Sequence, residues 1–156
     1  MPDVFDDNYE GLAHTFQVSD YLIHKYIPDY MLIHVLTPDN IGHSKGINGE
    51  YRKAITNIDQ ALGALAPRWF NLGYDVIITS DHGMDHNNNH GGSKCEVVKT
   101  PLYILSKKGW DPSLPKTISH TDIAPMIIER IIPTSDFRTY QKNLLKTNNR
   151  TLGCYE

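Results

Sequence analysis

Two prolines bracket the stretch that most constrains this chain. Between Pro28 and Pro38 lies YMLIHVL, Tyr30 to Leu36, apolar at nearly every position. A run this short, bounded by chain breakers, reads as a β-strand covered on both faces, as in parallel sheets. The period then changes. After Asn48, a residue suited to an N-cap, Tyr51, Ala54, Ile55, Ile58, Leu62, Leu65 and Trp69 recur at intervals of three and four until Gly73, which predicts a long amphipathic helix. Upstream, Leu12, Phe16, Tyr21, Leu22 and Ile27 predict a helix over residues 9–27, ended by Pro28. YDVIIT (74–79) and PLYIL (101–105) repeat the strand signature. TDIAPMIIERII (121–132) reads as a helix capped by Thr121, with Pro125 tolerated in its first turn. Strand, helix, strand, loop, strand, helix is the alternation of an α/β fold, a mostly parallel sheet flanked by helices. Residues 1–134 are expected to form that unit, and 135–156 a polar tail or short helix.

The chain has 156 residues, 40% of them hydrophobic, enough for one domain with a real core. Its net charge of −3 comes from 15 basic and 18 acidic residues spread along the sequence, which leaves no footprint for nucleic acid or an anionic membrane. The apolar runs fall far short of the roughly 20 residues of a membrane span. Met1-Pro2-Asp3 opens no signal peptide. Cys95 and Cys154 are too few and too far apart for a disulfide framework. A cytoplasmic location is therefore the default for these residues, although an upstream signal would not be visible in them.

Chemistry concentrates at two strand ends, where ligands collect in such sheets. TPDNIGH places Asp39 and His43 on the loop expected after the first strand, and SDHGM places Asp81 and His82 on the loop after the second. Asn87 to Asn89, Gly91 and Gly92 form an ordinary turn, but they do not account for His86 and His90. One Asp-His pair after a strand is more often a cap with a surface histidine. Two pairs, with His90 eight residues after His82, point instead to a transition-metal centre, because carboxylate oxygen and imidazole nitrogen suit zinc, manganese or iron whereas calcium prefers oxygen. Gly42 and Gly83 would let these loops turn their side chains inward. Asp85 and His86 read equally as groups orienting His82 or His90 and as solvated residues. His14, His24 and His34 read as surface or packed histidines, and Lys94 and Lys99 as solvated lysines, although they could attract a phosphate.

PDNIGHSKG, ITSDHGM and NHGGSKCEVVKTPLYIL, followed by SHTDIAPMI, resemble in order and spacing the second half of the alkaline phosphatase superfamily. Type I phosphodiesterases/nucleotide pyrophosphatases and phosphoethanolamine transferases are the nearest branches. The resemblance covers roughly residues 20 to 130. It implies an alkaline-phosphatase-like α/β domain, here incomplete, with two divalent ions, usually zinc, above the sheet. By position, Asp39, His43 and His90 match the ligands of one ion, and Asp81 and His82 match two ligands of the other. His120 is a reserve ligand, since some branches place a late histidine on the metal or phosphate; otherwise it simply starts a helix.

The resemblance further implies a hydrolase acting on a phosphate diester or nucleotide through a Thr or Ser nucleophile that is phosphorylated and then hydrolysed. That nucleophile and an aspartate ligand are expected upstream of this chain, so the chain alone is expected to be inactive. A missing strand would leave a sheet edge able to pair with a second copy. Phosphoryl-group transfer or a phosphomutase reaction is the alternative within the superfamily, and a non-catalytic metal-binding domain is the alternative outside it.

Overall fold

The computed structural model describes residues 10–107 and 117–132. The chain divides into two compact units, Met1–Trp110 and Asp111–Glu156. In the first, α1 (Glu10–Tyr26), α2 (Thr37–Lys45), α3 (Gly49–Asn71), β1 (Val76–Thr79), α4 (Cys95–Val98) and β2 (Leu102–Leu105) follow in order.

The core forms where the apolar faces of α1 and α3 meet. Leu12, Phe16 and Ile23 of α1 are buried with Ala54, Ala61, Leu65 and Trp69 of α3. The α3 start follows its sequence signal: the Asn48 side chain accepts from the amides of Glu50 and Tyr51 at 2.9 and 3.3 Å, satisfying two of the free donors of a helix start. At the other end Gly73 takes φ 95°, a conformation suited to glycine.

One polar node joins the two helices. Asp20, buried on α1, accepts from the Trp69 indole nitrogen at 3.0 Å and from Arg68 at 2.9 Å, both on α3. Truncating it would leave the buried indole N–H without an acceptor. Asp20→Ala is expected to lower stability by about 1–3 kcal/mol, and Asp20→Asn, which keeps an acceptor for Trp69, by less. Urea midpoints followed by far-UV circular dichroism test the ranking.

The strands depart from expectation. β1 and β2 pair antiparallel, Val76 opposite Leu105 through to Thr79 opposite Leu102, so the parallel arrangement predicted for these neighbours is corrected. A parallel pair needs a crossover that returns the chain to the starting end of the sheet, usually a helix. Residues 80–101 carry only the four-residue α4, and the chain turns straight back. Nor is β2 buried on both faces: Leu102 and Ile104 are half-buried while Tyr103 and Leu105 are exposed.

Residues 30–36 take no regular secondary structure and join no ladder among the described residues, whose sheet has two strands. Met31, Ile33 and Val35 pack against the core, and the alternate side chains face outward, Leu32 at 73% exposure. The apolar run therefore has one covered face rather than two. Tyr74 ties its start to the approach of β1 by donating its hydroxyl to the Pro28 carbonyl at 2.5 Å.

The second unit is described through α5 (His120–Ile131). Its N-cap is Ser119, not Thr121: the Ser119 hydroxyl accepts from the Thr121 amide and Asp122 accepts from the Ser119 amide, a capping box. Pro125 consequently lies inside the helix, beyond the first turn. The predicted tail at 135–156 lies outside the described residues. No described helix is long and apolar enough to cross a membrane.

Candidate metal centre

Asp39 and His43 stand on α2, not on a loop as the sequence reading has it. Pro38 opens that helix, where its missing amide costs nothing. Spacing of four then puts the carboxylate and the imidazole on one face, Asp39 Oδ1 lying 3.6 Å from His43 Nε2. Gly42 serves a different purpose from the loop turn expected of it. It is buried against Met84, and a Cβ there would stand 2.4 Å from the Met84 sulfur. This close approach seats the segment after His82 on the helix that carries Asp39.

His82 and His90 come from the loop between β1 and β2. Their rings stack with centroids 3.8 Å apart and planes 19° off parallel, and His43 meets His90 edge-on at 4.8 Å. His90 Nε2 is 3.8 Å and His82 Nε2 3.9 Å from the same Asp39 Oδ1. Asp81 lies at the rim, more exposed, its Oδ2 3.6 Å from His82 Nε2.

The ring of His82 is oriented by its own neighbour: Nδ1 lies 3.0 Å from the Gly83 carbonyl oxygen. A carbonyl can only accept, so Nδ1 carries the proton and Nε2 of the neutral ring keeps its lone pair toward the cluster. The backbone of His82 is held in turn, its amide by Asp81 Oδ1 at 3.0 Å and its carbonyl by the Ser80 hydroxyl at 2.5 Å.

The centre of this group is an unsatisfied atom. Asp39 Oδ1 is buried and has no hydrogen-bond partner, because the surrounding nitrogens are too far for hydrogen bonds. A buried carboxylate oxygen without a donor is costly. A cation removes that cost. Donors about 2.0–2.1 Å from a tetrahedral zinc stand roughly 3.4 Å from one another, close to the spacing here. One ligand atom each from Asp39, His43 and His90 lies within 4.8 Å of the others, so these three residues fit a divalent ion.

His86 points outward with its side chain 76% exposed, 3.8 Å from Glu96 Oε1. His120 is the first residue of α5, in the second unit. His14 and His34 are exposed, and His24 Nδ1 lies 2.8 Å from the Asp20 carbonyl one helical turn back. Lys94 is not simply solvated: its ammonium contacts Asp85 Oδ2 at 2.5 Å. The sequence signal for Asp85 was its position before a run of asparagines, typical of a carboxylate that accepts from the following amides.

The Lys94 ammonium, and after it the Asn89 amide, hold the Asp85 carboxyl down to about 2, below its ordinary 3.8, while burial pulls the other way. Because the folded value is the lower one, the contribution of Asp85 is complete above the unfolded value and is lost as pH falls toward about 2. In the metal-free chain the Asn87 and Asn89 amides are expected to keep their exchange protection down to about pH 4 and to lose it progressively as pH falls to about 2. Hydrogen exchange followed by NMR reads this directly.

Residues 3–123 match the model of the type I phosphodiesterase / nucleotide pyrophosphatase family. The chain belongs to that family. Among curated proteins it is similar to the human GPI ethanolamine phosphate transferase 2 catalytic subunit, 31% identical over 107 residues, covering 62% of this chain and 11% of the human one. It is also similar to GPI ethanolamine phosphate transferase 3 of Saccharomyces cerevisiae, 33% identical over 85 residues, 51% of this chain and 8% of the yeast one. The 2,3-bisphosphoglycerate-independent phosphoglycerate mutase of Ruthia magnifica is 28% identical over 137 residues, 81% of this chain and 26% of the mutase. The chain thus spans a small part of each relative's length. No solved structure matches it. The family's description names phosphodiesterases and nucleotide pyrophosphatases, and the relatives are named as phosphate transferases and a mutase.

Proposed function

We propose that this chain supplies the metal-holding part of a site that processes phosphate esters, and that its reaction is hydrolysis of a phosphodiester or nucleotide pyrophosphate. The observation that carries the reading is the unpartnered, buried Asp39 Oδ1 amid the imidazole nitrogens of His43, His82 and His90. In the proposed assignment Asp39, His43 and His90 hold one divalent ion, and Asp81 and His82 contribute to a second. The donor set favours zinc, with manganese as the alternative. Bound there, the ions supply Lewis-acid neutralisation of charge on the phosphoryl oxygens.

The protein's own groups set the conditions for that chemistry. Asp39 brings the negative charge that draws cations to the cluster, and the His82 tautomer fixed by Gly83 leaves a lone pair available without a proton to lose. The hydroxyls beside the cluster are engaged with backbone: Ser44 with the Asn40 carbonyl at 2.8 Å, Ser80 with that of His82, and Thr79 with that of Pro101 at 2.9 Å. A nucleophilic hydroxyl for the reaction is therefore sought elsewhere than at these three positions.

Transfer of the phosphoryl-bearing group to an acceptor other than water is the second reading, favoured by the transferases and mutases among the relatives. One set of assays separates the two. Bis(p-nitrophenyl) phosphate and p-nitrophenyl phosphate are offered to this chain, and to the longest product its gene encodes, with added Zn²⁺ or Mn²⁺. Metal-dependent diester turnover that exceeds monoester turnover and is lost in Asp39→Ala supports hydrolysis. Release of p-nitrophenol only when an acceptor alcohol is present supports transfer. Turnover indifferent to both metal and Asp39→Ala would overturn the proposal.

A further inference from the structure

The loop between His82 and His90 contains a buried carboxylate, Asp85, whose ion pair with the exposed Lys94 the proposed chemistry leaves unused. Asp85 is 4% exposed. Its Oδ1 accepts from the amides of Asn87 and Asn89 at 2.9 and 3.0 Å, and its Oδ2 contacts the Lys94 ammonium at 2.5 Å. Its own amide donates to the Asn89 carbonyl at 2.8 Å, and its carbonyl accepts from the Asn88 amide at 3.0 Å. Both backbone groups of Asn89 are therefore held by Asp85, and the next residue is His90.

The same turn is seated on the helix that carries the other two ligands. Asn88 takes φ 61°, and its side chain lies against Gly46 at the end of α2, where a Cβ would stand 2.7 Å from Asn88 Oδ1. Gly46 itself has φ 77°. One face of the turn thus fixes the backbone leading into His90, while the other fixes the distance from that backbone to Asp39 and His43.

We propose that Asp85, through its clasp on Lys94 and the Asn87–Asn89 backbone, is the positioning residue that preorganises His90 for a divalent ion. The inference rests on the reading of Asp39, His43 and His90 as ligands. Without the clasp, a segment of asparagines and glycines samples many conformations, and ordering it at the moment of binding would subtract from affinity. With the clasp that ordering precedes the ion. Lys94, engaged by Asp85, is correspondingly a partner of the turn rather than a phosphate ligand.

The test is a Co²⁺ titration followed by visible absorption, with Zn²⁺ affinity from chelator competition, on the whole chain. Asp85→Ala is expected to weaken binding by about 10–100-fold, the usual cost of removing a group that orients a ligand, and to alter the Co²⁺ absorption bands while far-UV circular dichroism stays unchanged. Asp85→Asn, which keeps an acceptor for the two amides but loses the ion pair, and Lys94→Met are expected to show smaller losses in the same direction. Asp39→Ala in the same series tests the ligand assignment. Should Asp39→Ala bind as tightly as the parent, the ligand reading fails. Should Asp39→Ala lose binding while every Asp85 and Lys94 variant retains parental affinity and spectrum, the positioning role fails and the ligand reading stands. If Asp85→Ala does not fold, parental affinity in both Asp85→Asn and Lys94→Met overturns the proposal.

Discussion

Asp39→Ala is expected to weaken Zn²⁺ binding by more than about 100-fold, beyond the range for groups that merely orient a ligand, and to leave the metal-free chain about as stable as the parent. The two effects share one cause. Asp39 Oδ1 is the atom on which His43, His82 and His90 all converge, and it is buried without a donor. Removing it takes the only carboxylate out of the three-residue cluster, yet in the metal-free state it also removes an unsatisfied acceptor. The favourable charge of Asp39 in the first turn of α2 is lost as well, so the net change without metal should lie within about 1 kcal/mol. Isothermal titration with Zn²⁺, paired with chemical unfolding in a chelator, measures both. A variant that loses stability without metal while keeping its affinity would show that Asp39 is a structural residue.

Gly83→Ala is expected to cost about 3 kcal/mol or more, among the severest single-methyl changes available in this chain. A Cβ at position 83 would lie 2.0 Å from the Glu96 carbonyl oxygen, a backbone atom with no rotamer to escape into. Relief requires α4 to move away, breaking the bond from the Gly83 amide to the Val97 carbonyl, 2.7 Å in the native fold. Because the Gly83 carbonyl also orients the His82 ring, metal affinity should fall together with stability. Gly91→Ala is the matched control: it lies in the same loop, and a Cβ there meets nothing within 4 Å. Thermal unfolding of the two variants should separate them widely, and equal melting temperatures would refute the steric argument.

How much of this was legible in the sequence depends on what kind of force decided each element. The α1 and α3 helices were readable because their apolar faces repeat at helical spacing and Asn48 marks a start. The strand pairing was not, since apolar runs state that a segment is covered but not which backbone will bond to it. Residues 30–36 look like a central strand by composition, yet only Met31, Ile33 and Val35 are covered. The antiparallel turn-back was decided by α4 being too short to serve as a crossover, which periodicity does not reveal in CEVV. At the candidate centre, residue types and spacing named Asp39, His43, Asp81, His82 and His90, but not that α2 carries the first two. Pro38 and the four-residue interval were signals for that helix. Lys94 reaching back to Asp85 has no local signature, because the pair is made by the turn between them.

The antiparallel ladder has a consequence for how binding and folding are linked. Thr79 and Leu102 face each other at its end, and the Thr79 hydroxyl reaches the Pro101 carbonyl across 22 positions of chain. The loop bearing His82 and His90 is thus closed at its base by protein contacts, and closing a loop of that length costs about 3 kcal/mol of chain entropy. Whatever the ladder contributes to holding the ion, the ion returns to the ladder, since a ligand that binds only the closed form stabilises that form by mass action. Saturating Zn²⁺ should therefore slow amide exchange within β1, at Ile77 and Ile78, and substitutions that weaken β1 against β2 should register as lower metal affinity.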